Sequence, residues 1–258
     1  MSAQPRIEID GHTATAEQLA HPAVAGYGHF TAMQVRDRRT RGIDLHLKRL
    51  EEGTRELFDA QLDGDRVLDH IRHALSEDIR DASVRVYVFQ PADELSIMVT
   101  LRPPAHAPTT PQRLLSAPYE RALAHVKHLG GFGQEYYGRV ARRSGFDDAL
   151  LTGPQGAIFE GAVTNIGFFD GDAVIWPDGP SLAGITMQLL DGGLRQRGRA
   201  SRRAHLRLAD VPSFHAAFVC NSRGIAPVSR IDDMDVQVDA ERMGALHAIY
   251  ESVPWDAI

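Results

Sequence analysis

The stretch PPAHAPTTPQ, Pro103–Gln112, carries four prolines in ten residues. Proline has no backbone donor and disfavours helix at the residue before it, so neither a helix nor a central strand runs cleanly through such a segment. The chain is therefore expected to fold as two blocks, with a linker or covering loop between them. The expected boundaries are 1–102 for a small N-terminal α+β domain, 103–120 for the linker, and 121–258 for a larger domain. A length of 258 residues suits one or two domains, each able to bury a core without staples.

Within the first block, RIEIDGHTAT alternates around Asp10-Gly11, a pair that favours a hairpin turn with positive φ at both central residues. AVAGYGHFTAMQVRDRRTRGIDL reads as a strand, a turn near Asp37–Thr40 and a short second strand resuming at Ile43. Asp44 is placed to cap a helix over Leu45–Gln61, and a second helix is expected over Arg66–Arg80. SVRVYVFQ and ELSIMVTLR read as strands. In the second block, RLLSAPY opens a unit of short strands (DALLT, AIFEGAV, NIGFFDG, DAVIWP and the near-continuous apolar FHAAFVC). RIDDMDVQ reads as an edge strand or loop, and helices are expected over Gln134–Arg143, Ile185–Arg195 and Ala240–Tyr250.

Several classes are disfavoured. A net charge of −6 with no cation-dense block argues against nucleic acid as the partner. No apolar run approaches the roughly 18 residues needed to cross a bilayer, and the N-terminus does not read as a secretory signal, so a soluble cytoplasmic protein is the expectation. One cysteine, Cys220, offers neither a disulfide nor a thiolate cage, and the 12 histidines include no HxH or HExxH pair, so no metal is expected. HLGGFGQ lacks the dinucleotide-binding spacing, and no G-x-S-x-G elbow occurs.

Of 28 basic residues only Lys48 and Lys127 are lysine. Arginine cannot replace lysine where chemistry needs an amine that loses its proton and attacks a carbonyl. Lys127, flanked by Val126 and Leu129 in HVKHLGG, is the candidate nucleophile, and Lys48 is expected on a solvated helix face. His46 and Arg49 are three residues apart and share a face. Glu160 ends the strand AIFE beside Gly161. Gly184, Ile185 and Thr186 stand at a helix start, where free N–H groups bind phosphate. Asn221, Ser222 and Gly224 follow a buried strand and make a second anion-binding turn.

In order, GYGHFTAMQVRDRRTRGIDLHLKRL, VKHLGGFGQ, GFDDALLTGPQGAIFEGAVTNIGFF, LAGIT and NSRGIAPV resemble the class IV aminotransferases, pyridoxal-phosphate enzymes of fold type IV, over about residues 23–230. The resemblance implies a two-domain α+β fold, with a small N-terminal α/β domain and a larger, β-barrel-like C-terminal domain with helices. It implies that Lys127 forms the internal aldimine with pyridoxal 5′-phosphate and shuttles the proton. Glu160 pairs with the pyridine nitrogen, and Arg49 grips the phosphate. Gly184, Ile185 and Thr186 at the helix start, and Asn221 and Ser222 in the later turn, complete the cofactor site. Phe30, Thr31 and Arg223 are expected on the substrate side. A homodimer is implied as well.

The sequence departs from the family pattern at informative places. Phe30-Thr31 stands where the family usually reads F/Y-E, Phe132 where branched-chain members have tyrosine, and Met187 where arginine is usual. The carboxylate-clamping arginine of the D-amino-acid branch is replaced by Phe89-Gln90. The leading expectation is transamination between an amine or amino acid and an oxo acid. The alternative is a C–O lyase like aminodeoxychorismate lyase, releasing pyruvate, towards which Thr31 and Asn221 lean. A cofactor-binding scaffold without turnover is the third reading, disfavoured by Lys127, Glu160 and Arg49.

Overall fold

The computed structural model describes residues 6–258, which divide into two units: 6–105 with 126–130 and 254–258, and 106–125 with 131–253. The first unit opens with β1 (Arg6–Ile9) and β2 (His12–Thr13), turning at Asp10 (φ 49°) and Gly11 (φ 80°) as the Asp-Gly pair requires. There follow α1 (Ala16–Val24), β3 (His29–Val35), β4 (Arg39–Thr40), α2 (Ile43–Phe58), α3 (Gly64–Leu75), β5 (Ala82–Phe89) and β6 (Ser96–Arg102). The main sheet has the order β2-β1-β6-β5-β3, and every pairing in it is antiparallel. Alternate residues of β3 are buried, so His29, Thr31, Met33 and Val35 share one face. Leu50 from α2 and Val67, Ile71 and Leu75 from α3 close that face with Val84, Val86 and Val99. Phe30 lies on the opposite face, opposite Tyr87 in register and stacked on it.

In the second unit come β7 (Gln112–Pro118), α4 (Phe132–Arg143), β8 (Asp148–Thr152), β9 (Ile158–Gly161), β10 (Asn165–Asp170) and β11 (Ala173–Pro177). They are followed by α5 (Ile185–Gln196), β12 (Ser201–Ala204), β13 (Ala216–Asn221), β14 (Gly224–Ile231), β15 (Met234–Asp235) and α6 (Ala240–Glu251). The sheet order is β12-β11-β10-β13-β14-β7-β8-β9, with β15 beside β14. Its two ends approach one another: Ile158 N–H on β9 donates to Leu206 O, just beyond β12, across 2.8 Å. The sheet is thus curled into a barrel-like form, and Leu114, Leu150, Phe168, Ile175, Val219 and Val228 belong to one core cluster. A second cluster packs Val174, Trp176 and Phe218 of the sheet against Leu190 and Leu194 of α5 and Leu246 of α6. The α+β architecture read from the sequence is the one observed.

Boundaries differ from expectation in instructive ways. Residues 126–130, expected in the second domain, group with the first because they lie along β3: Phe30 N–H donates to Lys127 O and Leu129 N–H to Gly28 O, each across 2.9 Å. Pairing satisfies the donors of an otherwise open sheet edge. The C-terminal residues 254–258 also join the first unit, where Asp256–Ala257 pairs with β4. The expected linker contains a full strand, β7. Helix α2 starts at Ile43, where a strand was expected, and Asp44 is not its cap. Gly42 holds the cap position at φ 71°, and the Asp256 carboxylate accepts the N–H groups of Gly42 and Ile43 at 2.8 and 3.0 Å. Helix α3 stops at Leu75 rather than Arg80, with Ser76 at φ 48°. Helix α1 has no counterpart in the sequence reading; it buries no residue and contains Pro22, so no apolar stripe announces it.

Candidate active site

The candidate residues fall in both units, and each group is described within its own. In the first, the backbone of Lys127 is held beside β3, and its Nζ lies 4.7 Å from the centroid of the Phe30 ring. The Arg85 guanidinium lies over the same ring at 5.9 Å. Phe30 therefore shares a sheet face with Tyr87 and the lysine amine. Lys48 is solvated and pairs loosely with Glu52 at 3.8 Å.

Arg49, one turn after His46 on α2, donates from Nη2 to Thr31 Oγ1. Its Nε is buried with no hydrogen-bond partner among the described residues, while the side chain as a whole keeps partial access to solvent. Burial draws its guanidinium down to about 10, which leaves it charged at neutral pH. Two histidines flank this cation. His46 Nδ1 lies 2.6 Å from Thr31 Oγ1, and His29 Nε2 lies 3.0 Å from Thr54 Oγ1. Burial, and then the Arg49 charge, pushes His29 down to about 4 and His46 well below its ordinary value. Both rings are neutral, and among the described residues no ion pair to Arg49 is present to offset its charge. Such a donor set is suited to an anion.

Thr31 is placed differently from Phe30. It is wholly buried on the helix-facing side of β3, between Arg49 and His46. The sequence reading put both residues on the substrate side; alternation along the strand separates them.

In the second unit, Glu160 is buried at the end of β9. Its Oε1 accepts from Arg121 Nε at 2.7 Å, and its Oε2 accepts from Leu182 N–H at 3.1 Å. Each oxygen keeps a further lone pair for a ligand N–H. Gly184 is the N-cap of α5 and supplies no side-chain cap, so the N–H groups of Ile185 and Thr186 lack intrahelical partners. A Cβ on Gly184 would fall 1.9 Å from Asn165 Oδ1. Asn165 Nδ2 in turn donates to Leu182 O at 2.7 Å, which fixes the approach to the helix. Thr186 Oγ1 donates to Asn221 O across 2.8 Å, tying the helix start to the end of β13. Asn221 is half-buried; its Nδ2 donates to Val163 O and its Oδ1 accepts Arg223 N–H. Ser222 is half-buried beside it, and the Arg223 side chain is exposed. A cavity of about 410 Å³ lies between residues 120–125 and 178–181, with Arg121 in its wall.

Arg121 and Asn165 escape the sequence reading. In a chain whose cations are nearly all arginine, one more arginine carries no signal, and an asparagine at a strand start is ordinary. Among the described residues no cluster of His, Cys, Asp and Glu could hold a metal ion, and no helix is long and apolar enough to cross a membrane.

Comparison with known proteins places this geometry. No curated protein sequence matches the chain. The structure resembles a candidate 4-amino-4-deoxychorismate lyase from Legionella pneumophila, at 19% identity and a TM-score of 0.81, covering 90% of this chain and 93% of that one. It resembles the branched-chain amino acid aminotransferase of Escherichia coli at 17% identity and a TM-score of 0.83, covering 96% and 94%. A hypothetical aminotransferase from Mycobacterium tuberculosis, solved in a pyridoxal-phosphate-bound form, matches at 18% identity and a TM-score of 0.78, covering 90% of each chain. At these identities the likeness is one of fold. The sequence pattern of the amino-transferase class IV family matches residues 28–231, most of the chain and nearly the whole span of the motifs described above. The chain belongs to the class IV aminotransferase family.

Proposed function

We propose that this chain is a pyridoxal-phosphate-dependent aminotransferase moving an amino group between an amine or amino acid and an oxo acid, with Lys127 as its catalytic residue. The observation that carries the cofactor assignment is the Arg49 guanidinium, charged, with a buried Nε that has no hydrogen-bond partner and no ion-paired carboxylate among the described residues. A phosphate monoester supplies the acceptor and the negative charge that this group lacks. When bound, pyridoxal phosphate provides an electron sink for the carbanion left by removal of a proton from the donor's Cα.

The chain's own residues do the rest. Lys127 Nζ would hold the cofactor at its aldehyde carbon and would take the proton from the donor Cα. Glu160 holds a proton at the pyridine nitrogen, and Arg121 holds the Glu160 carboxylate in place. Arg49 in the first unit is read as a phosphate ligand, and in the second unit the N–H groups of Ile185 and Thr186 after the uncapped Gly184 are assigned the same role on the family resemblance. The Thr186 hydroxyl donates to Asn221 O, so it aligns the helix start with the turn carrying Asn221 and Ser222. Phe30 faces the lysine amine and orients substrate; Arg223 is exposed and is assigned to the substrate side on the family resemblance alone. A cytoplasmic homodimer is the assembly the family resemblance supports.

The test is an absorbance titration of the pyridoxal-phosphate-loaded protein. A donor amine should bleach the visible band, and an oxo acid added afterwards should restore it with the amino group transferred. Pyruvate released from aminodeoxychorismate with no oxo acid present would instead establish the lyase reading. A protein that takes up no cofactor would end both.

A further inference from the structure

We propose that Thr31 is the positioning residue of the phosphate clamp: its hydroxyl, anchored on His46, fixes the Arg49 guanidinium in the orientation that receives the cofactor's 5′-phosphate. The proposal rests on the reading of Arg49 as a phosphate ligand and adds to it the residue that holds that ligand.

The direction of the hydrogen-bond chain follows from the chemistry of its members. A guanidinium has only donors, so at the Arg49–Thr31 contact the threonine oxygen accepts. The one hydroxyl proton of Thr31 is then free to go to its other neighbour, His46 Nδ1, 2.6 Å away. That nitrogen must be unprotonated to accept, and His46, buried beside a cation, is held neutral. The chain therefore runs one way, from Arg49 through Thr31 to His46. It also fixes the His46 tautomer, with the ring proton on Nε2.

The backbone makes this chain rigid. Thr31 is central in β3, paired with Val86 of β5. A β-branched side chain on a strand has few rotamers, so its hydroxyl is aimed before any ligand arrives. Arg49 and His46 stand three apart on one helix, so one threonine reaches both. An arginine so held has lost its rotamer freedom in advance, and binding no longer has to take it away. Arg49 Nε has no hydrogen-bond partner among the described residues, so the Nη2 contact to Thr31 is the side-chain hydrogen bond that orients the guanidinium there.

The test compares the full-length apoprotein with Thr31→Val and Thr31→Ser. Affinities are measured by absorbance titration for pyridoxal phosphate and for pyridoxal, which lacks the phosphate. The wild type should prefer the phosphorylated form. Thr31→Val should lower the ratio of the two dissociation constants at least tenfold, with pyridoxal binding little changed, and Thr31→Ser should restore most of it. A general structural role would weaken both ligands alike and leave the ratio intact, which would overturn the proposal. A wild type without preference for the phosphorylated form would overturn the reading of Arg49 itself, and Thr31's role with it. A second measurement needs no Thr31 variant: nitrogen-15 spectra of the wild type, with His46 assigned by its loss in His46→Asn. The Nε2–H tautomer supports the relay, and an Nδ1–H or doubly protonated ring at neutral pH overturns it.

Discussion

Arg121 Nε lies 2.7 Å from Glu160 Oε1, and both side chains are buried. Removing one partner of such a pair strands the other as an uncompensated buried charge. Arg121→Met should destabilise the apoprotein by about 3–5 kcal/mol in urea unfolding. The double variant Arg121→Met/Glu160→Gln should recover part of that loss. Glu160→Gln alone should keep the cofactor but slow turnover on the order of a hundredfold, as expected for loss of a positioned proton-holding group. An unchanged rate would mean that another residue holds the ring nitrogen.

Lys127 stands over Phe30, with its main chain clipped to β3. Lys127→Ala should abolish both the visible absorbance of the loaded protein and turnover. Lys127→Arg should do the same although it keeps the charge, because a guanidinium does not lose its proton near neutral pH. A coloured, active Lys127→Arg protein would remove the assignment.

Two glycines around α5 should respond oppositely to alanine. A Cβ at Gly184 meets Asn165 Oδ1 at 1.9 Å, so Gly184→Ala must displace Asn165 from Leu182 O. A loss of about 1–3 kcal/mol is expected, with weaker cofactor binding. A Cβ at Gly192, inside the helix, meets nothing within 4 Å. Gly192→Ala should raise stability by about 0.5–1 kcal/mol through lower chain entropy and better helix propensity. Thermal melts of the two variants check both signs.

His29 is pushed down to about 4 from an ordinary 6.5, first by burial and then by Arg49. Below pH 6.5 the unfolded chain takes up a proton at this ring, and the folded chain does not until about pH 4. The contribution is therefore complete above pH 6.5 and is lost as pH falls from 6.5 to 4. The slope from one such group is at most about 1.4 kcal/mol per pH unit. His46, lowered by the same two causes, acts in the same direction. Urea midpoints measured across this window should fall with pH, and His29→Gln should flatten the profile. A variant as steep as the wild type would contradict the assignment.

Much of the fold is legible because its signals are local. The Asp10-Gly11 turn, the alternation of β3 and the helical spacing of α3 each depend on residues a few positions apart. The ends of those elements were less legible. Asp44 is the kind of residue that caps a helix, yet α2 takes its cap from Asp256, more than two hundred residues along the chain. The site divides in the same way. His46 and Arg49 share a face because a helix turns every 3.6 residues. That Thr31 lies between them, on the face away from Phe30, follows from the packing of α2 on β3. Arg121 is invisible for a related reason: it lies in the segment after β7, and its partner Glu160 stands 39 positions away on β9.

From the order of residues alone came the two-block organisation, the unusual retention of Lys127 and the five motifs that mark the family. These rest on composition and short-range spacing, which need no coordinates. Folding decided which of 26 arginines balances Glu160, which threonine holds Arg49, and that the lysine segment is an edge partner of β3. Those outcomes depend on long-range packing and on where water is excluded. Neither burial nor a hydrogen-bond partner is a property of a residue until distant parts of the chain have come together.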